Sequence, residues 1–118
     1  MKTPLIVAMF AAGLSAASAQ SIGGSYQASG TNFDGSRYTG RAQVTVTSDT
    51  TCRISWMIAR TTWRGICMRN GTSFSASYTS GNAIGLAIYE LKPDGSLEGL
   101  WTLADKPGVG TETLMPLR

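Results

Sequence analysis

The segment TCRISWMIARTTWRGIC, residues 51–67, decides the fold. Polar and apolar residues alternate along both of its halves, with the two-residue period that is typical of β-strands. Paired positions in an antiparallel hairpin have a constant sum, so pairing Cys52 with Cys67 also places Trp56 opposite Trp63. The segment therefore predicts a β-hairpin in which a cross-strand cysteine pair and a tryptophan pair lie on one face.

The predicted tip of this hairpin is a candidate binding site. Its turn, Ala59-Arg60, lacks the glycine or asparagine that two-residue turns favour, so a longer loop is an open alternative. Near the tip, Arg60, Trp63 and Arg64 belong to residue types that often anchor protein interfaces, and a cross-linked hairpin would hold them rigidly. In the alternative interpretation Trp63 points into the protein and the two arginines are ordinary surface residues.

The N-terminal residues match a secretory signal peptide, predicted to span residues 1–19. Lys2 gives a basic start, Leu5–Leu14 is an apolar run, and Ala17–Ala19 fits the small-residue cleavage pattern. The apolar run is far short of the roughly 20 residues that a membrane-spanning helix needs. We therefore expect a periplasmic or secreted protein without a membrane span, whose single mature domain comprises residues 20–118.

The two cysteines of the chain, Cys52 and Cys67, are expected to form a structural disulfide. Export permits their oxidation, and closing a loop of about 16 residues would stabilise the fold by about 3 kcal/mol. A redox-active pair usually appears as C-x-x-C or beside a histidine, and this sequence has neither pattern.

Strand-like alternation and turn signals recur along the whole mature chain. Asp-Gly and Asn-Gly pairs separate the alternating segments, as in β-hairpins. The eight predicted strands span residues 24–31, 37–48, 51–59, 62–69, 73–79, 83–92, 96–104 and 110–117. Consecutive strands joined by short turns predict an all-β, eight-stranded antiparallel up-and-down barrel, which leaves no strand edge unpaired.

Composition argues against catalysis and against a metal or cofactor. The chain has 118 residues and no histidine, so it lacks the commonest general base and the commonest metal ligand. Paired carboxylates could come from Glu90, Glu98 and Glu112, but these are more simply interpreted as outward-facing strand residues. A net charge of +3 is too mild to indicate a nucleic-acid partner. We therefore expect a binding protein rather than an enzyme.

Six aromatic residues are predicted to face the barrel interior. They would either line a ligand cavity or pack as core. An interior cavity of ~300 Å³ or more would favour a small-ligand carrier, whereas a filled interior would favour binding on the outer surface. These candidate lining residues are Tyr26, Tyr38, Trp56, Phe74, Tyr78 and Trp101.

A series of motifs along the mature chain resembles a family of small exported bacterial proteins that are catalogued as fibronectin-binding proteins. The resemblance implies a secreted, non-catalytic protein that binds fibronectin or another extracellular-matrix protein through surface loops. No binding residues follow from it. The motifs are GTNFDGSRYTG (30–40), TCRISW (51–56), GICMRNG (65–71), GLAIY (85–89), DGSLEGLWT (94–102) and GTE (110–112).

The predicted architecture is also similar, more loosely, to calycin-type barrels. This second resemblance rests on the signal peptide, the eight predicted strands and the single disulfide. It implies two alternatives to matrix binding: a carrier of a small hydrophobic ligand, or a periplasmic enzyme inhibitor.

Overall fold

The computed structural model describes residues 20–118 as a closed antiparallel barrel in which the strands follow one another in chain order. The signal peptide predicted over residues 1–19 lies outside the described residues. The all-β barrel is confirmed, and every predicted strand end agrees to within two residues. The strands are β1 (Gly24–Thr31), β2 (Arg37–Val46), β3 (Thr51–Ile58), β4 (Thr61–Asn70), β5 (Ser73–Ser80), β6 (Ala83–Leu91), β7 (Leu97–Leu103) and β8 (Gly110–Pro116).

Each strand pairs with the next, and β8 returns to pair with β1. Closure therefore leaves the strands without a free edge, which is the reason that eight short strands make a stable ring. Over residues 20–118 we find no helix whose length and hydropathy would let it cross a membrane.

The β3–β4 hairpin has the predicted register. Cys52 lies opposite Cys67 and is bonded to it, with a Cα–Cα distance of 5.0 Å, and Trp56 lies opposite Trp63. The turn contains two residues only, so the longer loop is not formed. Ala59 adopts a positive φ of 56° there, a conformation that glycine would tolerate better.

One half of the barrel interior is filled with apolar side chains. It lies toward the β2–β3, β4–β5 and β6–β7 turns, and we call it the packed half. Ile22 precedes β1 and is buried in the same core cluster, and its carbonyl accepts a 2.5 Å hydrogen bond from the Tyr26 hydroxyl. Other buried residues of the packed half include Val44, Cys52, Cys67, Phe74, Leu91, Leu97 and Leu114.

Candidate functional site

The opposite half of the barrel encloses a cavity of about 210 Å³. It lies toward the β1–β2, β3–β4, β5–β6 and β7–β8 turns, and exposed Asn32 and Thr61 mark its mouth. We call it the aromatic cavity, because all three tryptophans of the chain are on its wall. Its remaining lining residues are Tyr38, Trp56, Ile58, Trp63, Tyr78, Tyr89, Trp101, Leu103 and Glu112.

A buried carboxylate forms part of this cavity wall. Glu112 is only 5% exposed and accepts three hydrogen bonds from aromatic side chains. Its Oε1 accepts from Trp56 Nε1 at 2.9 Å and from the Tyr89 hydroxyl at 2.6 Å. Its Oε2 accepts from the Tyr38 hydroxyl at 2.8 Å. Three different strands therefore hold one carboxylate in place.

The backbone pattern of β8 explains why Glu112 points inward. Side chains alternate between the two faces of a strand, so Glu112 shares the inner face with Leu114, which is fully buried. Its cross-strand neighbours are both glycines, Gly30 on β1 and Gly99 on β7. A Cβ atom on Gly30 would come within 2.7 Å of the Tyr38 hydroxyl, so the glycine leaves the space through which that hydroxyl reaches Glu112.

Burial dominates the electrostatics of the site. It raises the pKa of Glu112, and the hydrogen bonds from Tyr89, Tyr38 and Trp56 partly oppose this rise. Burial and the nearby Glu112 charge raise the pKa of Tyr38, Tyr78 and Tyr89, so all three phenols stay neutral donors around neutral pH. Within residues 20–118 Glu112 takes part in no ion pair.

Aromatic packing fixes the rest of the wall. The Tyr78 ring meets Trp56 and Trp63 edge to face, with centroid distances of 5.0 Å and 5.6 Å. The Tyr78 hydroxyl donates to the carbonyl of Thr102 at 3.1 Å. Edge-to-face contacts of this kind restrict ring orientation, so the wall is preformed on three neighbouring strands.

The mouth of the aromatic cavity is supported by a residue from a turn. Phe33, in the β1–β2 turn, stacks on Trp101 with centroids 4.8 Å apart and an angle of 28° between the rings. Trp101 Nε1 also donates to the carbonyl of Thr111 at 3.2 Å. These two contacts fix the orientation of the Trp101 indole.

The six predicted lining residues divide between the two halves of the barrel. Tyr26 and Phe74 are buried in the packed half and are not part of the cavity wall. The remaining four line the aromatic cavity; they are Tyr38, Trp56, Tyr78 and Trp101.

The hairpin-tip candidates are not brought together. Arg60 and Arg64 are exposed on the outside of the barrel, whereas Trp63 lies on the cavity wall beside Tyr78. The alternation along β4 accounts for this separation, because Trp63 and Arg64 are consecutive and must face opposite sides.

The prediction that Glu112 faces outward is wrong. It rested on charge alone, and the parity of Glu112 with Leu114 was the signal in the sequence that could have corrected it. Glu90 and Glu98 are exposed, as predicted for them.

Tyr89 was also absent from the predicted lining residues. Strand β6 is apolar on both faces, since Ile84, Leu86 and Ile88 are exposed on its outer side. Its hydrophobic pattern therefore could not indicate which face turns inward.

The fold and the site together define the class of protein. It is a closed eight-stranded β-barrel whose interior is packed in one half and open, with an aromatic wall, in the other. No protein-family model matches the sequence, and no curated protein matches it. Among solved structures, a redesigned β-barrel, b11L5F_LGL, is similar with a TM-score of 0.72 and 20% identity, over 82% of this chain and 92% of that one.

Two ligand-bound structures are similar as well. The redesigned β-barrel mFAP1 bound to DFHBI has a TM-score of 0.68 and 22% identity, over 80% of this chain and 94% of its own. The structure of EF1p2_mFAP2b bound to DFHBI has a TM-score of 0.70 and 17% identity, over 85% and 97% of the two chains. At these identities the likeness establishes the fold alone.

Proposed function

We propose that this protein binds a small, largely apolar molecule in the aromatic cavity. The observation that carries the proposal is the contrast within one barrel: half of the interior is filled, and the other half is an open, preformed aromatic wall. Protein interiors normally pack as densely as organic crystals. A hollow region lined by all three tryptophans is the arrangement expected of a binding site.

The size of the aromatic cavity limits the ligand. Its volume of 210 Å³ is below the ~300 Å³ expected of a carrier of drug-sized molecules. The interior is nevertheless not filled, so there is room for a smaller ligand. An engineered cavity of about 150 Å³ already accepts benzene, which has six non-hydrogen atoms, so by volume alone this cavity holds about eight. Because the cavity is open at its mouth, we infer a ligand of about eight to fourteen non-hydrogen atoms. At about 0.5 kcal/mol per atom, twelve such atoms correspond to a Kd on the order of tens of micromolar.

The similar barrels support this proposal at the level of the fold. Two of them are bound to DFHBI, so a β-barrel of similar fold and length is able to hold a small molecule. The disulfide supports export as well, because such bonds persist in oxidising compartments outside the cytoplasm.

A matched pair of substitutions on β7 tests the cavity. Leu103 lines it, whereas Leu100 is 45% exposed on the outer face of the same strand. Calorimetric titration with naphthalen-2-ylmethanol, a neutral probe of about twelve non-hydrogen atoms, should show saturable binding to the wild type and to Leu100→Trp. Binding should be lost in Leu103→Trp, whose larger side chain fills the cavity. No saturable binding by the wild type, or equal binding by Leu103→Trp, would exclude the proposal.

Binding of fibronectin or another matrix protein is a second proposal, and it concerns the outer surface. Arg60 and Arg64 are exposed on a hairpin that the Cys52–Cys67 disulfide cross-links, which supports a rigid contact site. Trp63 belongs to the aromatic cavity instead, so the two proposals depend on different residues.

A further inference from the structure

The hydrogen-bond donors of the aromatic cavity are largely occupied by the protein itself. Five of its six tyrosine and tryptophan side chains donate either to Glu112 or to a backbone carbonyl. A ligand that needs donors, such as a carboxylate or phosphate, finds few of them here. These five donors are Tyr38, Trp56, Tyr78, Tyr89 and Trp101.

Acceptor capacity remains on Glu112. A carboxylate offers about four acceptor sites, two on each oxygen. Oε1 is occupied by Trp56 and Tyr89, but Oε2 receives only the Tyr38 hydroxyl, so one site on Oε2 is open. Glu112 is one of the residues that line the cavity, so its carboxylate lies within reach of an N–H group on a ligand there.

The charge of Glu112 is not neutralised within residues 20–118. Its three partners there are neutral donors, and it belongs to no ion pair. An ionised carboxylate that is 5% exposed carries a large desolvation cost, which a cation of matching size would offset. The surrounding rings add to this preference, since the π faces of tryptophan and tyrosine attract ammonium groups.

We propose that the aromatic cavity selects an organic cation, namely a small aromatic amine whose ammonium group pairs with Glu112 while its ring packs against the tryptophans. This inference rests on the proposed function and names its ligand class. The turns around the cavity mouth would not repel a cation, because their charged residues are of both signs. Two are acidic, Asp34 and Asp105, and two are basic, Arg60 and Lys106.

Three probes that share one ring and differ in charge test the selectivity. Calorimetric titration at pH 7.5 would compare naphthalen-2-ylmethanamine, naphthalen-2-ylmethanol and 2-naphthoate. We expect the amine to bind about tenfold more tightly than the alcohol, because it adds a charge-assisted hydrogen bond and a cation–π contact, and the carboxylate to bind most weakly.

Two carboxylate-to-amide variants show whether Glu112 is responsible. In Glu112→Gln the amine should lose its advantage, to within about twofold of the alcohol, because the substitution removes the charge and replaces one acceptor oxygen with an NH2 donor. The alcohol should still bind, because the cavity keeps its volume and its aromatic wall. Glu98→Gln removes an exposed carboxylate from the outer face of β7 and should leave all three affinities unchanged. Near-ultraviolet circular dichroism would verify that both variants fold.

The outcomes separate this inference from the proposed function. If none of the three probes binds saturably, the proposed function fails, and the cation inference fails with it. If the alcohol or 2-naphthoate binds as tightly as the amine, or if Glu112→Gln keeps the preference for the amine, only the cation inference is overturned.

A pH titration of the wild type decides the matter even if Glu112→Gln does not fold. The amine stays protonated below neutral pH, and the facing phenols Tyr38, Tyr78 and Tyr89 stay neutral. Affinity for the amine should therefore fall as the pH drops through the pKa of Glu112, whereas affinity for the alcohol should not change. Parallel pH profiles for the two probes would contradict the inference.

Discussion

The two halves of the barrel are built from the same strands, but their interiors differ: one is filled with side chains and the other contains a cavity. The packed half is apolar and cross-linked by the Cys52–Cys67 disulfide. The aromatic half has hydroxyl and indole N–H groups that need acceptors, and Glu112 supplies one for three of them. One small barrel thus divides its interior along its axis into a packed part and an open part lined by aromatic side chains.

The largest expected effect distinguishes two leucines of strand β7. Leu97 is completely buried in the packed half, and Leu103 is partly buried on the cavity wall. Leu97→Ala should lower the free energy of unfolding by about 3–5 kcal/mol, because it leaves a void among side chains that cannot collapse. Leu103→Ala should cost about 1 kcal/mol, since its side chain already borders an open space. Urea denaturation would measure both, and equal losses would contradict the division into halves.

The disulfide gives the next largest effect. The double variant Cys52→Ala/Cys67→Ala should lower the free energy of unfolding by about 3 kcal/mol, because the unfolded chain loses a constraint on a loop of some 16 residues. Binding of naphthalen-2-ylmethanol should persist at denaturant-free conditions, because both cysteines lie in the packed half. Intact-mass measurement of the wild type should show the loss of two hydrogens, and free thiols would contradict the bond.

Most of the fold could be predicted from the sequence because its signals are local. The turn Asp94-Gly95-Ser96 repeats the turn Asp34-Gly35-Ser36, and the structure gives both the same geometry. Each serine hydroxyl donates to its aspartate Oδ1 at 2.6 Å, and Gly35 and Gly95 have φ values of 87° and 89°. Such turns and the two-residue alternation fix strand ends and register without reference to distant residues.

The site was harder to predict because it depends on contacts between distant strands. Glu112 is stabilised in the interior by residues 23, 56 and 74 positions away along the chain. A charged residue on a strand is usually exposed, and only knowledge of these three donors reverses that expectation. The inward position of Trp63, by contrast, was one of two interpretations of the sequence, and the information that favoured it, the pairing with Trp56, is local to one hairpin.

A smaller effect concerns how stability depends on pH in the aromatic half. Burial raises the pKa of Glu112 above its ordinary value of 4.5, so the folded state binds this proton more tightly than the unfolded state does. This contribution to stability is therefore present below the unfolded pKa and is lost as the pH rises through the folded pKa. We expect it to be smaller than the effects above, because three hydrogen bonds partly offset the cost of burial.

The difference between wild type and Glu112→Gln isolates this contribution. Asp34 and Asp94 have lowered pKa values from hydrogen bonds with Ser36 and Ser96, so their stabilisation is lost as the pH falls. Both variants share these groups, and subtraction removes them. Melting temperatures across acidic and neutral pH should show wild type losing stability relative to Glu112→Gln as the pH rises. A relative gain would mean that hydrogen bonding outweighs burial.

The smallest effect on stability belongs to the outer surface of the hairpin, where the two binding proposals can be separated. Arg60→Ala/Arg64→Ala should change the free energy of unfolding by less than about 0.5 kcal/mol, because both side chains are exposed. It should also leave naphthalen-2-ylmethanol binding intact, whereas Trp63→Ala would alter the cavity wall and confuse the two proposals.

On immobilised fibronectin, a contact at the hairpin tip predicts lost binding for Arg60→Ala/Arg64→Ala. The matched control Arg41→Ala/Arg53→Ala, which removes equal charge elsewhere on the barrel, should still bind. Equal losses in both variants would indicate a general charge effect instead, and a wild type that does not saturate the surface would leave the aromatic cavity as the one proposed site.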